Sequence, residues 1–203
     1  MQPVIEGFAG IAVLTALALM VVVFVQRNAT RALRRLASVD PLSGLPNRRE
    51  FMRALDTELS RASRSGESFA VVLLDVDRLK LINDRGGHRA GDRAILRVAN
   101  ALRVSRRASD TAGRIGGDEF AVVLSGVGVT TAQHFLVRLH AVLSRHRRAG
   151  TVTISGGSAE YPRDGATGEA LLAAADAALY AEKQRRSRRT PAYGPRLVPG
   201  AVR

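Results

Sequence analysis

Phe8 to Val25 is an unbroken run of 18 residues with no charge and, apart from Thr15, no strongly polar side chain. As a helix it would span about 27 Å, close to the roughly 30 Å hydrocarbon core of a bilayer. A helix buried in a globular core keeps a polar face, and this run has none. A cleaved signal peptide fits less well, because Met1–Gly7 carries only Glu6 and no small-residue cleavage site follows. The pattern therefore predicts a transmembrane helix at 8–25 after a short external segment at 1–7. Arg27, Arg31, Arg34 and Arg35 follow directly. The positive-inside rule then places the rest of the chain in the cytoplasm, held by a single-pass anchor in the inner (cytoplasmic) membrane.

The pattern changes beyond the run. Residues 26–37 read as a juxtamembrane helical stalk, with Ala32, Leu33 and Leu36 at a spacing that could pair two chains. Asp40 to Asn47 is rich in turn formers and ends on a helix-capping Asn. Phe51, Leu55 and Leu59 predict an amphipathic helix over 48–64, stopped by Ser65-Gly66. Residues 69–75 form a short continuous apolar run, the mark of a strand buried on both faces. A short helix follows through 79–82 and a longer one over 90–107. Residues 110–115 and 119–124 read as strands joined at Gly116-Gly117. Then come a helix at 130–147, a strand at 152–158 and a helix at 168–185. Residues 189–203 read as a disordered basic tail. The core order is β-α-β-β-α-β, which predicts an α+β, ferredoxin-like domain with a mainly antiparallel sheet and flanking helices.

Composition narrows the function. There is no cysteine, which excludes disulfides and thiolate metal sites. The net charge of +13 would suit a nucleic-acid partner, but it is unevenly spread. Residues 26–36 hold four Arg and 185–203 hold six, with no acid in either, while the middle is nearly balanced. Basic ends beside an apolar span fit anionic membrane lipid better than nucleic acid, and the lack of Trp weakens any base-stacking surface.

The candidate chemistry lies in two acid pairs. Asp75 and Asp77 end the buried strand, and Asp118 and Glu119 sit at the hairpin tip. Neighbouring strands would bring both pairs to one sheet edge, and side-chain alternation leaves one member of each pair facing a given point. Carboxylates on a rigid edge suit Mg²⁺ with phosphate oxygens, and two such ions serve phosphoryl transfer. Gly116 and Gly117 would permit positive φ and close approach of a ligand.

In that setting Arg114-Ile-Gly-Gly-Asp-Glu-Phe120 resembles the signature of the GGDEF family, the diguanylate cyclases. Asp40–Phe51, Asp75–Asp84, Gly87–Asp92, Thr153–Gly157 and Ala175–Tyr180 resemble its other motifs in order, over about residues 38–188. The resemblance implies a palm-like fold and synthesis of cyclic di-GMP from two GTP across a homodimer. It also implies Mg²⁺ (or Mn²⁺), two per site, held by Asp75, the Val76 carbonyl, Asp118 and Glu119, with Asp118 and Glu119 catalytic. Asn83 and Asp92 would read guanine, since a carboxylate accepts from both N1–H and the 2-amino group. Gly116 and Gly117 would admit substrate, and Lys80 and Lys183 would hold phosphates. His88 reads as a structural hydrogen-bonding residue.

Arg107 and Asp110, five residues short of Gly116, resemble the family's inhibitory RxxD product site, with Arg138 as a further arginine. At a helix end the two would share a face. Two departures stand out. Leu79 replaces a Phe, and the family's Ala-Lys-x-x-Gly-Arg-Asn is here Glu182-Lys183-Gln-Arg-Arg186-Ser187-Arg188. Ser187 thus takes the place of a phosphate-binding arginine, leaving Arg186 or Arg188 as substitutes. The alternative reading is a domain of weak catalysis that acts as a GTP or cyclic di-GMP receptor.

Overall fold

The computed structural model describes residues 17–27, 38–145 and 152–189. Two compact units divide at Ser38. The first contributes helix α1 at residues 17–27, whose apolar side chains are exposed, Met20 by 68% and Phe24 by 65%. Among the described residues no helix is long and apolar enough to cross a membrane. The first half of the predicted span, the external segment, the stalk at 28–37 and the tail from 190 onward lie outside the described residues.

The second unit follows the predicted order. It contains α2 (Arg48–Ser65), β1 (Phe69–Val76), α3 (Leu79–Gly86), α4 (His88–Ser105), β2 (Thr111–Arg114), β3 (Glu119–Leu124), α5 (Val129–Ser144), β4 (Ile154–Tyr161) and α6 (Gly168–Arg189). The four strands lie in the order β2-β3-β1-β4, every neighbouring pair antiparallel. This is the split β-α-β-β-α-β arrangement, with two helices in the first crossover.

β1 is central, so both its faces are covered and its sequence is apolar from Phe69 to Leu74, up to Asp75 at its end. Ala70, Val72, Leu74 and Val76 pack into one core with Ile95, Val98 and Leu102 of α4 and Phe135 and Leu139 of α5. Phe69, Val71 and Leu73 face the other way, onto Phe51 and Leu55 of α2 and Leu171, Ala175 and Leu179 of α6. A side chain buried this fully contributes roughly 1.5–3 kcal/mol. Asn47 caps α2, its Oδ1 accepting from the Glu50 N–H at 3.1 Å. Gly66 ends that helix at φ 73°, a left-handed turn that glycine adopts without strain.

Several boundaries moved. α4 starts and ends two residues earlier than predicted, so Arg107 and Asp110 lie beyond its C-terminus in a turn. β4 runs on to Tyr161, and α3 extends to Gly86. Thr111 opens β2, because the Asp110 backbone N–H is spent on the turn, donating to the Arg107 carbonyl at 3.2 Å, while its Oδ2 accepts from the Arg107 N–H at 2.7 Å.

Candidate active site

The polar edge arises where two apolar series stop together. On β1 the series Phe69, Val71, Leu73 continues in phase to Asp75. On α6 the stripe Leu171, Ala175, Leu179 continues at helical spacing to Lys183 and Arg186. Strand and helix lie side by side, so their polar ends meet. Lys183 Nζ is 2.8 Å from Asp75 Oδ2, and Arg186 Nη1 is 3.1 Å from Asp77 Oδ2. The expectation that alternation separates Asp75 from Asp77 is corrected here. Residues two apart in a strand share a face, and both acids meet α6.

β3 brings the hairpin to the same edge. Asp75 lies directly opposite Glu119 in the register, and the Val76 N–H donates to the Asp118 carbonyl at 3.0 Å. The two glycines at the hairpin tip work differently from the expectation, since neither has a positive φ. A Cβ on Gly116 would lie 2.3 Å from Glu119 Oε2, so glycine there leaves room for that carboxylate. A Cβ on Gly117 would meet nothing within 4 Å, so the tip is open to an approaching molecule.

Arg114 locks the hairpin in place. Its Nη2 donates to the Gly117 carbonyl at 2.7 Å and its Nη1 to Asp40 at 3.1 Å. Its backbone N–H donates to the Pro46 carbonyl at 2.8 Å. Asp40 also accepts from the Ser43 N–H at 2.7 Å. Burial pushes the Asp40 carboxyl upward, but the Ser43 hydrogen bonds and Arg114 together hold it below its ordinary value. Reading the sequence missed this clamp, because 74 residues separate its partners. It also missed Ser155, whose hydroxyl donates to Asp77 Oδ1 at 2.6 Å.

The edge offers a divalent cation only hard oxygen donors: the carboxylates of Asp75, Asp118 and Glu119 and the Val76 carbonyl. Burial is the main force raising the Asp75 pKa. Its hydrogen bond with Lys183 opposes that, while the charges of Asp118 and Asp77 add to it. A desolvated carboxylate beside like charges is what a cation relieves. Even so, among the described residues no three His, Cys, Asp or Glu side chains form a ready-made metal group. In this arrangement Glu119 lies over Gly116 and Lys183 holds Asp75. The donors fit a metal that competes with Lys183 for Asp75.

The remaining expected residues fall into two places. Asn83 is half-buried on α3, and its Oδ1 is buried with no hydrogen-bond partner, packed against Gly91 of α4 beside Asp92. Helix capping does not account for the pair, as no side chain caps α3 or α4 at its N-terminus. Lys80 is exposed in the first turn of α3. His88 is exposed at the start of α4, and the structural hydrogen bond expected of it is not seen among the described residues.

Arg107 and Asp110 do not share a helix face as expected. Asp110 is buried in the turn and Arg107 is exposed above it. Arg138 reaches the same loop from α5, donating through Nη2 to the Ser105 carbonyl at 2.8 Å. Arg186 is occupied by Asp77, by Glu182 at 3.0 Å and by the Ile154 carbonyl at 2.8 Å. Of the two candidates to replace the arginine missing at Ser187, only Arg188 stands exposed.

Known proteins share this arrangement. The family model described as "Diguanylate cyclase, GGDEF domain" matches residues 37–189. The chain is 36% identical over 160 residues to the bifunctional diguanylate cyclase/cyclic di-GMP phosphodiesterase MucR of Pseudomonas aeruginosa. That match covers 77% of this chain and 23% of MucR, so the chain spans about a quarter of this relative's length. A solved sensory box/GGDEF family protein from Caulobacter crescentus superposes with a TM-score of 0.67 at 38% identity, over 73% of this chain and 99% of that one. The GGDEF domain of DgcB from the same organism, solved in complex with c-di-GMP, gives 0.68 at 32% identity, over 73% and 91%. With its antiparallel sheet, its acid edge and its glycine hairpin, the chain belongs to the GGDEF diguanylate cyclase family.

Proposed function

We propose that this chain is an active diguanylate cyclase that joins two GTP molecules into cyclic di-GMP and releases two pyrophosphates. The observation that carries the reading is the single edge where Asp75, Asp118, Glu119 and Lys183 meet. Mg²⁺ or Mn²⁺, two per site when bound, would activate the attacking hydroxyl and stabilise charge on phosphate oxygens. Asp75, the Val76 carbonyl, Asp118 and Glu119 would hold the metal. Lys183, once released from Asp75, and Lys80 would hold phosphates. Asn83 and Asp92 would read the guanine edge; the orphaned Asn83 Oδ1 supports this, because a buried acceptor without a donor favours a ligand N–H.

Each domain holds one GTP, so two must face each other. Each 3′-hydroxyl then attacks the α-phosphate of the other nucleotide. The apolar run at 8–25 would anchor the chain in the inner membrane with the domain in the cytoplasm, and pairing along the stalk would raise the local concentration of domains. The exposed apolar side chains of α1 support lipid contact there. Product binding at Arg107, Asp110 and Arg138 would inhibit turnover.

Incubating the purified full chain with GTP and Mg²⁺ and measuring cyclic di-GMP tests the activity. Formation of product by wild type and none by Asp118→Ala supports it. GTP binding without product would make the chain a receptor.

A further inference from the structure

We propose that Arg186 is a positioning residue for Lys183, and through it for the nucleotide phosphates. The inference rests on the reading of Lys183 as a phosphate-binding residue. Where the family pattern has Ala and Gly, this chain has Glu182 and Arg186. Those two side chains join Asp77 in one network. The Arg186 guanidinium contacts three segments at once: Asp77 beyond β1, the Ile154 carbonyl at the start of β4, and Glu182 one turn back on α6. The Ser155 hydroxyl holds the other Asp77 oxygen, which fixes the carboxylate that Arg186 grips.

A guanidinium is suited to this task because its planar fork presents several donors in fixed directions. Three anchors also keep it from turning toward a phosphate, so it cannot replace the arginine missing at Ser187. Its effect is indirect. Lys183 lies one turn before Arg186 on the same helix face, 2.8 Å from Asp75. A glycine at 186 would leave the end of α6 without this tie to the sheet. Arg186 fixes the height of the helix over the acid edge and so sets where the Lys183 ammonium sits. Lys183 is a flexible point charge, so its reach depends on where its backbone is held.

The test uses the full chain in detergent with a non-hydrolysable GTP analogue as the probe, and Mn²⁺ titrated without nucleotide by electron paramagnetic resonance. Arg186→Ala is expected to bind the analogue at least about threefold more weakly, a coupling typical of neighbours in one ion-pair network. Lys183→Ala is expected to bind it weakly too, and adding Arg186→Ala to Lys183→Ala is expected to cost nothing more. Mn²⁺ affinity should hold or improve in Arg186→Ala, because Lys183 then competes less well for Asp75. Arg186→Lys should recover part of the analogue affinity. Gln184→Ala, at an exposed position on the same helix and outside the network, should match wild type.

Additive losses in the double variant would overturn the proposal. So would parallel loss of analogue binding, Mn²⁺ binding and thermal stability in Arg186→Ala, which marks a general structural role. If Lys183→Ala weakens binding and Arg186→Ala does not, only the positioning role fails. If Lys183→Ala binds the analogue like wild type, the phosphate reading of Lys183 fails as well.

Discussion

Gly157 is where α6 rests on the sheet, and adding one methyl group there measures how closely. A Cβ at this position would lie 2.1 Å from Leu179 N, 2.3 Å from Ala175 O and 2.7 Å from Leu179 Cα. Comfortable carbon contacts are about 3.5–4.0 Å, so the helix would have to retreat by more than 1 Å. Backbone atoms cannot rotate away as a side-chain tip can. Overpacking typically costs about 1–3 kcal/mol, and Gly157→Ala belongs at the top of that range. In a domain of this size about 3 kcal/mol lowers Tm by roughly 6–12 °C.

Two other glycines calibrate the result. At Gly156 the Cβ would meet the tip of Leu136 at 2.5 Å, a side chain that can move, so the loss is expected near the bottom of the range, about 1 kcal/mol. At Gly117 it would meet nothing, and Tm should not change. Thermal denaturation of the three variants by circular dichroism, at fixed salt and without nucleotide, gives the order directly. The packing argument is refuted if Gly157→Ala melts within about 1 °C of wild type, which is about a quarter to half of a kcal/mol at this size. It is equally refuted if Gly117→Ala falls as far as Gly157→Ala.

Other outcomes follow from the site. Asp75 has a raised pKa in the fold, so the folded state holds its proton better than the unfolded chain, and ionisation costs stability as pH rises above 3.8. Asp75→Asn should therefore melt at or above wild type at pH 7 while making no cyclic di-GMP; a clear drop in Tm would contradict the sign. The Asp40 carboxyl is held low, so its stabilisation is complete above 3.8 and fades as pH falls below that value. Asp40→Ala should lose about 1–3 kcal/mol at pH 7 in urea titrations, the cost of leaving partners unpaired, with the deficit shrinking in acid. Arg107 is exposed, so Arg107→Ala should keep its Tm while relieving product inhibition; inhibition curves that overlay wild type would exclude the RxxD site.

The sequence showed its local features clearly and its distant ones poorly. The apolar run of β1, the Asn47 cap and the stripe on α2 each express a short-range rule, and each element formed as read. The acids could be assigned to one edge because strand order follows from the β-α-β-β-α-β succession. What stayed hidden depends on contacts between distant segments. Nothing near Arg186 announces Asp77, which is 109 positions away, and nothing near Arg114 announces Asp40. Of the two reasons read for the hairpin glycines, the left-handed backbone does not hold, while the missing side chain does: Gly116 leaves space for the Glu119 carboxylate and Gly117 leaves the tip open. The RxxD turn was misplaced because a helix end shifted by two residues converts a shared helix face into a buried carboxylate under an exposed guanidinium.

The pairing of Asp75 with Lys183 has a consequence for the order in which the chain becomes competent. The acid edge is complete once Glu119 has been made, but its counter-charge arrives only with the last helix. At synthesis rates of about 5–20 residues per second, the roughly sixty intervening residues take several seconds. During that interval the emerging polypeptide carries Asp75 without the Lys183 that pairs with it. Its closing contacts join segments far apart in sequence, which are slow to form. On the proposed reading of Lys183 as a phosphate-holding residue, a product truncated before it would retain the glycine hairpin and the acids but lack that grip.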